Sequence, residues 1–113
     1  MPRLLNSLMS ALVLAICVTT DIRAQSGQQF AAIGDLPLVS GETLLDVSMG
    51  YRTAGALNRD KSNVILFPTW FTGTTAELFE FGKIGPGLLA DTDRFYVIAV
   101  DALGNGVSTS PSN

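Results

Sequence analysis

The chain has 113 residues, 47% hydrophobic and 15% charged, a globular composition sized for one small domain or part of a larger one. Its net charge is −3, and it contains no histidine, a single cysteine and no cluster of lysines or arginines. Such a surface repels phosphate backbones, which argues against a nucleic-acid partner, and the chain offers no Cys/His set for a metal ion.

Residues 1–24 read as a secretory signal peptide. Arg3 precedes a mostly apolar stretch from Leu8 to Val18, and Ile22-Arg23-Ala24 presents a small residue at a cleavage site. A retained membrane helix needs about 20 apolar residues, and Asn6, Ser7, Ser10, Thr19, Thr20 and Asp21 leave too few. Cys17 follows Leu14-Ala15-Ile16 in the manner of a lipid-anchor site, but the bulky Ile16 stands where a small residue is wanted. Cleavage near Ala24 leaves residues 25–113 as the folded part, with no cysteine and therefore no disulfide. That part carries five basic and nine acidic residues, a net charge of −4. The expected location is secreted or periplasmic, free of the membrane once the signal is removed.

Phe30 to Ile33 is the first expected strand, with Pro37 allowed only at an edge or beyond the paired region. Ser40-Gly41-Glu42 makes a turn. Beyond it Leu45, Val47, Met49 and Tyr51 alternate with Asp46, Ser48, Gly50 and Arg52, a period of two that predicts a strand with one buried face. Gly55 and Asn58-Arg59-Asp60-Lys61-Ser62 turn the chain again. Asn63 to Phe67, NVILF, is apolar on both faces and suits a central strand of a covered sheet. Thr74-Thr75-Ala76-Glu77 has the pattern of a capping box and predicts a short helix to about Phe81, ended by Gly82. Gly85-Pro86-Gly87 interrupts, a turn of helix is expected over Leu88 to Ala90, and Phe95 to Val100, FYVIAV, is a fourth strand. Antiparallel strands followed by strand, helix and strand predict an α/β fold in which a hairpin leads into a mostly parallel sheet.

Two stretches can carry chemistry. FPTWFTGTT leaves the third strand and opens the helix, at the carboxyl end of a strand where α/β sheets place ligands. A main-chain N–H in such a bend can face a developing oxyanion, an interaction that contributes about 3 kcal/mol in acyl transfer. By local sequence alone, Trp70 and Phe71 read rather as core aromatics and Gly73 as an ordinary turn glycine. The second stretch is Asp101-x-x-Gly104-x-Gly106-x-Ser108. It is no dinucleotide fingerprint, because Thr109 replaces the third glycine and neither a helix nor an acidic ribose partner follows. Gly104 and Gly106 read instead as relief of backbone strain in a tight turn.

Residues 40 to 113 resemble the N-terminal part of the homoserine O-acetyltransferase family of α/β-hydrolase-fold proteins. The resemblance lies in SGETLLDVSMGYRTAGALN, SNVILFPTWFTGTT and IGPGLLADTDRFYVIAVDALGNGVSTSPSN. It implies an incomplete α/β-hydrolase fold in residues 25–113, and it makes the Phe71 main-chain N–H half of an oxyanion hole. Phe71 stands at the leucine of the family's His-Ala-Leu-Thr-Gly, which here reads Thr69-Trp70-Phe71-Thr72-Gly73. The family's Gly-x-Ser-Met-Gly-Gly elbow does not occur, so nucleophile and general base are absent from this chain and are expected beyond residue 113. The resemblance thus implies a truncated exported protein whose parent performs acyl transfer or ester hydrolysis with a Ser-His-Asp triad on a small-molecule ester or acyl substrate, without a bound cofactor. Export favours water as acceptor, because acetyl-CoA is cytosolic. The alternative is a non-catalytic exported binding or structural module built on the fold's first strands.

Overall fold

A computed structural model of the protein describes residues 25–113. The proposed signal segment and Cys17 lie outside the described residues.

Among the described residues seven elements follow in chain order: β1 (Gln29–Pro37), β2 (Thr43–Ala54), β3 (Val64–Pro68), α1 (Thr75–Glu80), β4 (Ile84–Gly85), β5 (Ala90–Asp91) and β6 (Tyr96–Val100). Four strands form one sheet in the order β1-β2-β6-β3. β1 pairs with β2 and β2 with β6 antiparallel, whereas β3 and β6 run parallel. The antiparallel hairpin leading into a parallel pair is the α/β arrangement expected from the order of patterns.

The hairpin between β1 and β2 closes through Leu38 and Glu42, whose backbone groups bond at 2.8 Å. Pro37 ends β1, and because β1 is an edge strand its missing N–H leaves no ladder bond unmade. The pairing slips at Gly34, and across from it Asp46 takes a left-handed φ of 50° while its N–H donates to Asp35 Oδ1 at 3.0 Å. This irregularity changes the expected burial of β2. Val47, Gly50 and Ala54 are buried, but Leu45 is exposed and Met49 and Tyr51 are only half-buried. The alternation predicts the strand correctly, and the face on which most of its large apolar residues lie stays open.

α1 begins as its sequence predicts. Thr74 is the N-cap, its Oγ1 accepts from the Glu77 N–H, and the Glu77 carboxylate accepts from the Thr74 N–H at 2.7 Å. Leu78 of this helix joins Ala54, Ile84, Ala90, Val97 and Ala99 in the core, with Ile65, Phe67, Phe79 and Phe95 packed around them. The expected helical turn over Leu88 to Ala90 does not form. Gly87 N–H donates to Asp91 Oδ1, the Leu88 N–H closes back on Gly85 O, and Ala90 enters β5 instead, paired in parallel with β4.

Strand order corrects a second expectation. β3 is not central: among the described residues it is an edge, and β6 lies between β2 and β3. Apolar residues on both faces of a strand report that both faces tend to be covered, but they carry no information on which strands lie beside it.

Candidate functional site

The parallel register of β3 and β6 brings their carboxyl ends together, Pro68 opposite Val100. Two loops leave from that end, 69–74 and 101–110. Thr69 joins them at once: its N–H donates to Val100 O at 2.9 Å, and its Oγ1 accepts from the Ala102 N–H at 3.0 Å.

Asp101 is fully buried and is the polar centre of the region. Its Oδ1 accepts from the Thr75 N–H at 2.8 Å and from Asn105 Nδ2 at 3.0 Å. Its Oδ2 accepts from the Thr75 hydroxyl at 2.9 Å and from Gln28 Nε2 at 3.0 Å. Four donors on one carboxylate satisfy a buried charge that would otherwise be costly. Ser108, also fully buried, extends the network: its hydroxyl donates to Asp101 O at 2.6 Å and accepts from the Gly50 N–H at 2.8 Å. One side chain therefore ties together the segment before β1, the start of α1 and the 101–110 loop. Gly104 and Gly106 have φ of 86° and 89°, so the glycines there relieve a left-handed backbone as expected.

The 69–73 loop is held at both ends and bulges between them. Thr69 anchors its start, and Asn105 Nδ2, already bonded to Asp101, also donates to Gly73 O at 3.0 Å. Gly73 N–H closes the bend on Trp70 O at 3.1 Å. A Cβ at Gly73 would overlap the Trp70 indole, so any larger residue there requires the ring to move. Thr72 is left-handed at φ 70°, a conformation that costs a β-branched residue on the order of 1–3 kcal/mol and concentrates at functional sites. Neither aromatic of the loop is core. Trp70 is 43% exposed and stacks on Phe81 with centroids 6.0 Å apart, and the Phe71 side chain is 92% exposed. Among the described residues the Phe71 main-chain N–H has no hydrogen-bond partner.

The sequence pattern drew attention to Asp101, Gly104, Gly106 and Ser108, and the family resemblance to Phe71, but both missed Gln28, Thr75 and Asn105 as partners in the network. Asn105 had a local signal, its place between two turn glycines. Gln28 had none, since its bond to Asp101 spans 73 positions. A hollow of about 540 Å³ lies between Phe30, Leu45, Ser48 and Val107 and includes no residue of the 69–73 loop. Among the described residues no group of His, Cys, Asp or Glu could hold a metal ion.

No family model matches the chain. A probable esterase of Corynebacterium glutamicum is 42% identical over 89 residues, covering 79% of this chain and 25% of that protein. Homoserine O-acetyltransferase of Thermobifida fusca is 39% identical over 90 residues, covering 69% of this chain and 24% of that protein. The crystal structure of an acetylester hydrolase from Corynebacterium glutamicum superposes with a TM-score of 0.71 at 41% identity, covering 77% of this chain and 25% of that one. The chain belongs to the homoserine O-acetyltransferase-like family of the α/β-hydrolase fold. It spans about a quarter of the length of these relatives. Within this family both hydrolases and acyltransferases stand at comparable distance from the chain, so the shared chemistry is that of the acyl group.

Proposed function

We propose that residues 25–113 form the first strands and one oxyanion donor of an exported enzyme that hydrolyses small esters, its Ser-His-Asp triad supplied by sequence beyond Asn113. The observation that carries this reading is the unengaged Phe71 N–H in a bend that is anchored at both ends, at the carboxyl end of a parallel strand. A donor held without a partner needs no reorganisation when negative charge develops beside it. The exposed Trp70 and Phe71 replace the smaller residues of the family's usual motif and offer an apolar wall to the substrate. Water is the preferred acceptor because the N-terminal 24 residues direct the chain out of the compartment that holds acyl-CoA. A mature mass that starts near Gln25 checks that premise, and a secreted species retaining Met1 removes it.

The functional test is a chimera in which residues 25–113 replace the matching quarter of the acetylester hydrolase. It should hydrolyse a short-chain p-nitrophenyl ester, whereas the 113 residues alone, with no histidine, should not. In the chimera Phe71→Ala keeps the N–H and should change kcat little, while Phe71→Pro removes it and should lower kcat about 10²- to 10³-fold. Equal kinetics for the two variants, both folded, would exclude the donor role. A folded chimera without hydrolysis would exclude the function.

A further inference from the structure

We infer that Asn105 is the positioning residue for the oxyanion loop, a role that rests on the proposed function. Four hydrogen bonds converge on its side-chain amide. Its two N–H groups divide between the buried Asp101 carboxylate and the Gly73 carbonyl, each at 3.0 Å. Its Oδ1 accepts from the Val107 and Ser108 N–H groups at 2.9 and 3.1 Å, which shapes the turn on which it sits. Every hydrogen-bonding position of the amide is thus used, and its two ends do separate work. The oxygen end organises its own loop, while the nitrogen end crosses to a different one.

The crossing matters because of what Gly73 terminates. Between Thr69, fixed to β6, and Thr75, fixed to Asp101, Asn105 reaches across from the other loop to the far side of the bend that contains Phe71. Thr72 is left-handed inside this short span. A strained conformation persists only where the surroundings over-determine it, and beyond the bend's own Gly73 N–H to Trp70 O bond the Asn105 to Gly73 bond is the nearest restraint on its carboxyl side. Asp101 in turn fixes the Asn105 amide, so the carboxylate acts on the loop through the asparagine. Releasing Gly73 would let Thr72 relax and turn the Phe71 N–H away from the direction it holds. Displacing a catalytic donor by about 1 Å costs up to 10²-fold in rate. An oxyanion is bound only in the transition state, so the loss should appear in kcat and leave KM nearly unchanged.

Asn105→Asp separates the two ends of the side chain. An aspartate still accepts from Val107 and Ser108 but can donate neither to Gly73 nor to Asp101. Trp70, the only tryptophan of the chain, reports on the same bend. In the 113-residue chain, Asn105→Asp should weaken the near-ultraviolet circular dichroism of Trp70 and raise its quenching by acrylamide, with the far-ultraviolet spectrum unchanged. In the chimera the same substitution should lower kcat about tenfold, with KM within about twofold. Asn105→Ser, which adds no charge beside Asp101 and is too short to reach Gly73, should act in the same direction and serves if the aspartate variant does not fold. An unchanged Trp70 signal in a folded variant overturns the inference. So does a kcat that stays at the parent value in an active chimera, and in that case the proposed function stands. A folded, inactive parent chimera removes the proposed function and the catalytic role of Asn105 with it, while the Trp70 signal still decides whether Asn105 holds the bend.

Discussion

The two faces of the sheet are both lined with apolar residues and have opposite fates. On one, Ala54, Val97 and Ala99 are buried beneath Leu78 of α1 and beneath Ile84 and Ala90 of the β4–β5 pair. On the other, Ala31, Ile33, Met49, Tyr51, Ile98 and Val100 line an open hollow of about 360 Å³, and Leu66 beside them is 67% exposed. Neighbouring residues of β6 belong to different faces, Val97 at 0% exposure and Ile98 half-buried. The pattern of a strand therefore states what both of its faces prefer, and the elements that pack on it decide which preference is met. A contiguous apolar face of this kind marks a surface that other structure covers, in keeping with a chain that spans about a quarter of its relatives.

The sharpest break of this comparison is a charge placed on each face. Val97→Asp puts an unpaired carboxylate into the covered core and should cost more than about 4 kcal/mol, enough to remove the unfolding transition of residues 25–113 in urea. Leu66→Lys places a charge on the open face of the β3 edge, where the side chain already meets water. Stability should change by less than about 0.5 kcal/mol, and aggregation, followed by size-exclusion chromatography at rising concentration, should fall because charged edge residues block strand addition. Equal loss of stability from the two substitutions would show that the open face is covered in solution.

What sequence made legible follows the range of the interactions. The capping box of α1, the hairpin turn and the existence of β2 as a strand are set within a few residues and stand as read from the pattern, whereas the buried face read from the β2 alternation does not. The two-residue strands β4 and β5 are too short to show any period, and the loop that joins them is fixed by the Asp91 side chain. The neighbour order that makes β3 the edge depends on pairings across 30 or so positions, which no local pattern encodes. The site divides the same way. The glycines and Asp101 announce a strand-end turn, but the donors that converge on Asp101 come from the segment before β1, from α1 and from its own loop. Their common target is a property of the folded sheet.

An effect much smaller than that of Val97→Asp concerns a polar group on the covered face that lacks what Asp101 has. Arg52 lies opposite Ala99, and its Nε is buried without a hydrogen-bond partner among the described residues. Asp101 repays its desolvation through four donors; Arg52 leaves at least one donor unpaid, a cost of about 1–3 kcal/mol when such a group is dry. Arg52→Met keeps the unbranched apolar stem that packs along the strand and removes the orphaned N–H. In residues 25–113 the substitution should therefore be neutral or stabilising by up to about 1 kcal/mol in urea unfolding, against the usual direction for a buried-strand mutation. A loss of more than about 1 kcal/mol would mean that the guanidinium is satisfied in solution. The same substitution in the chimera sharpens the result, because an acidic partner from the remainder of the fold would turn a neutral change into a destabilising one and would identify Arg52 as a contact between this segment and the structure that completes it.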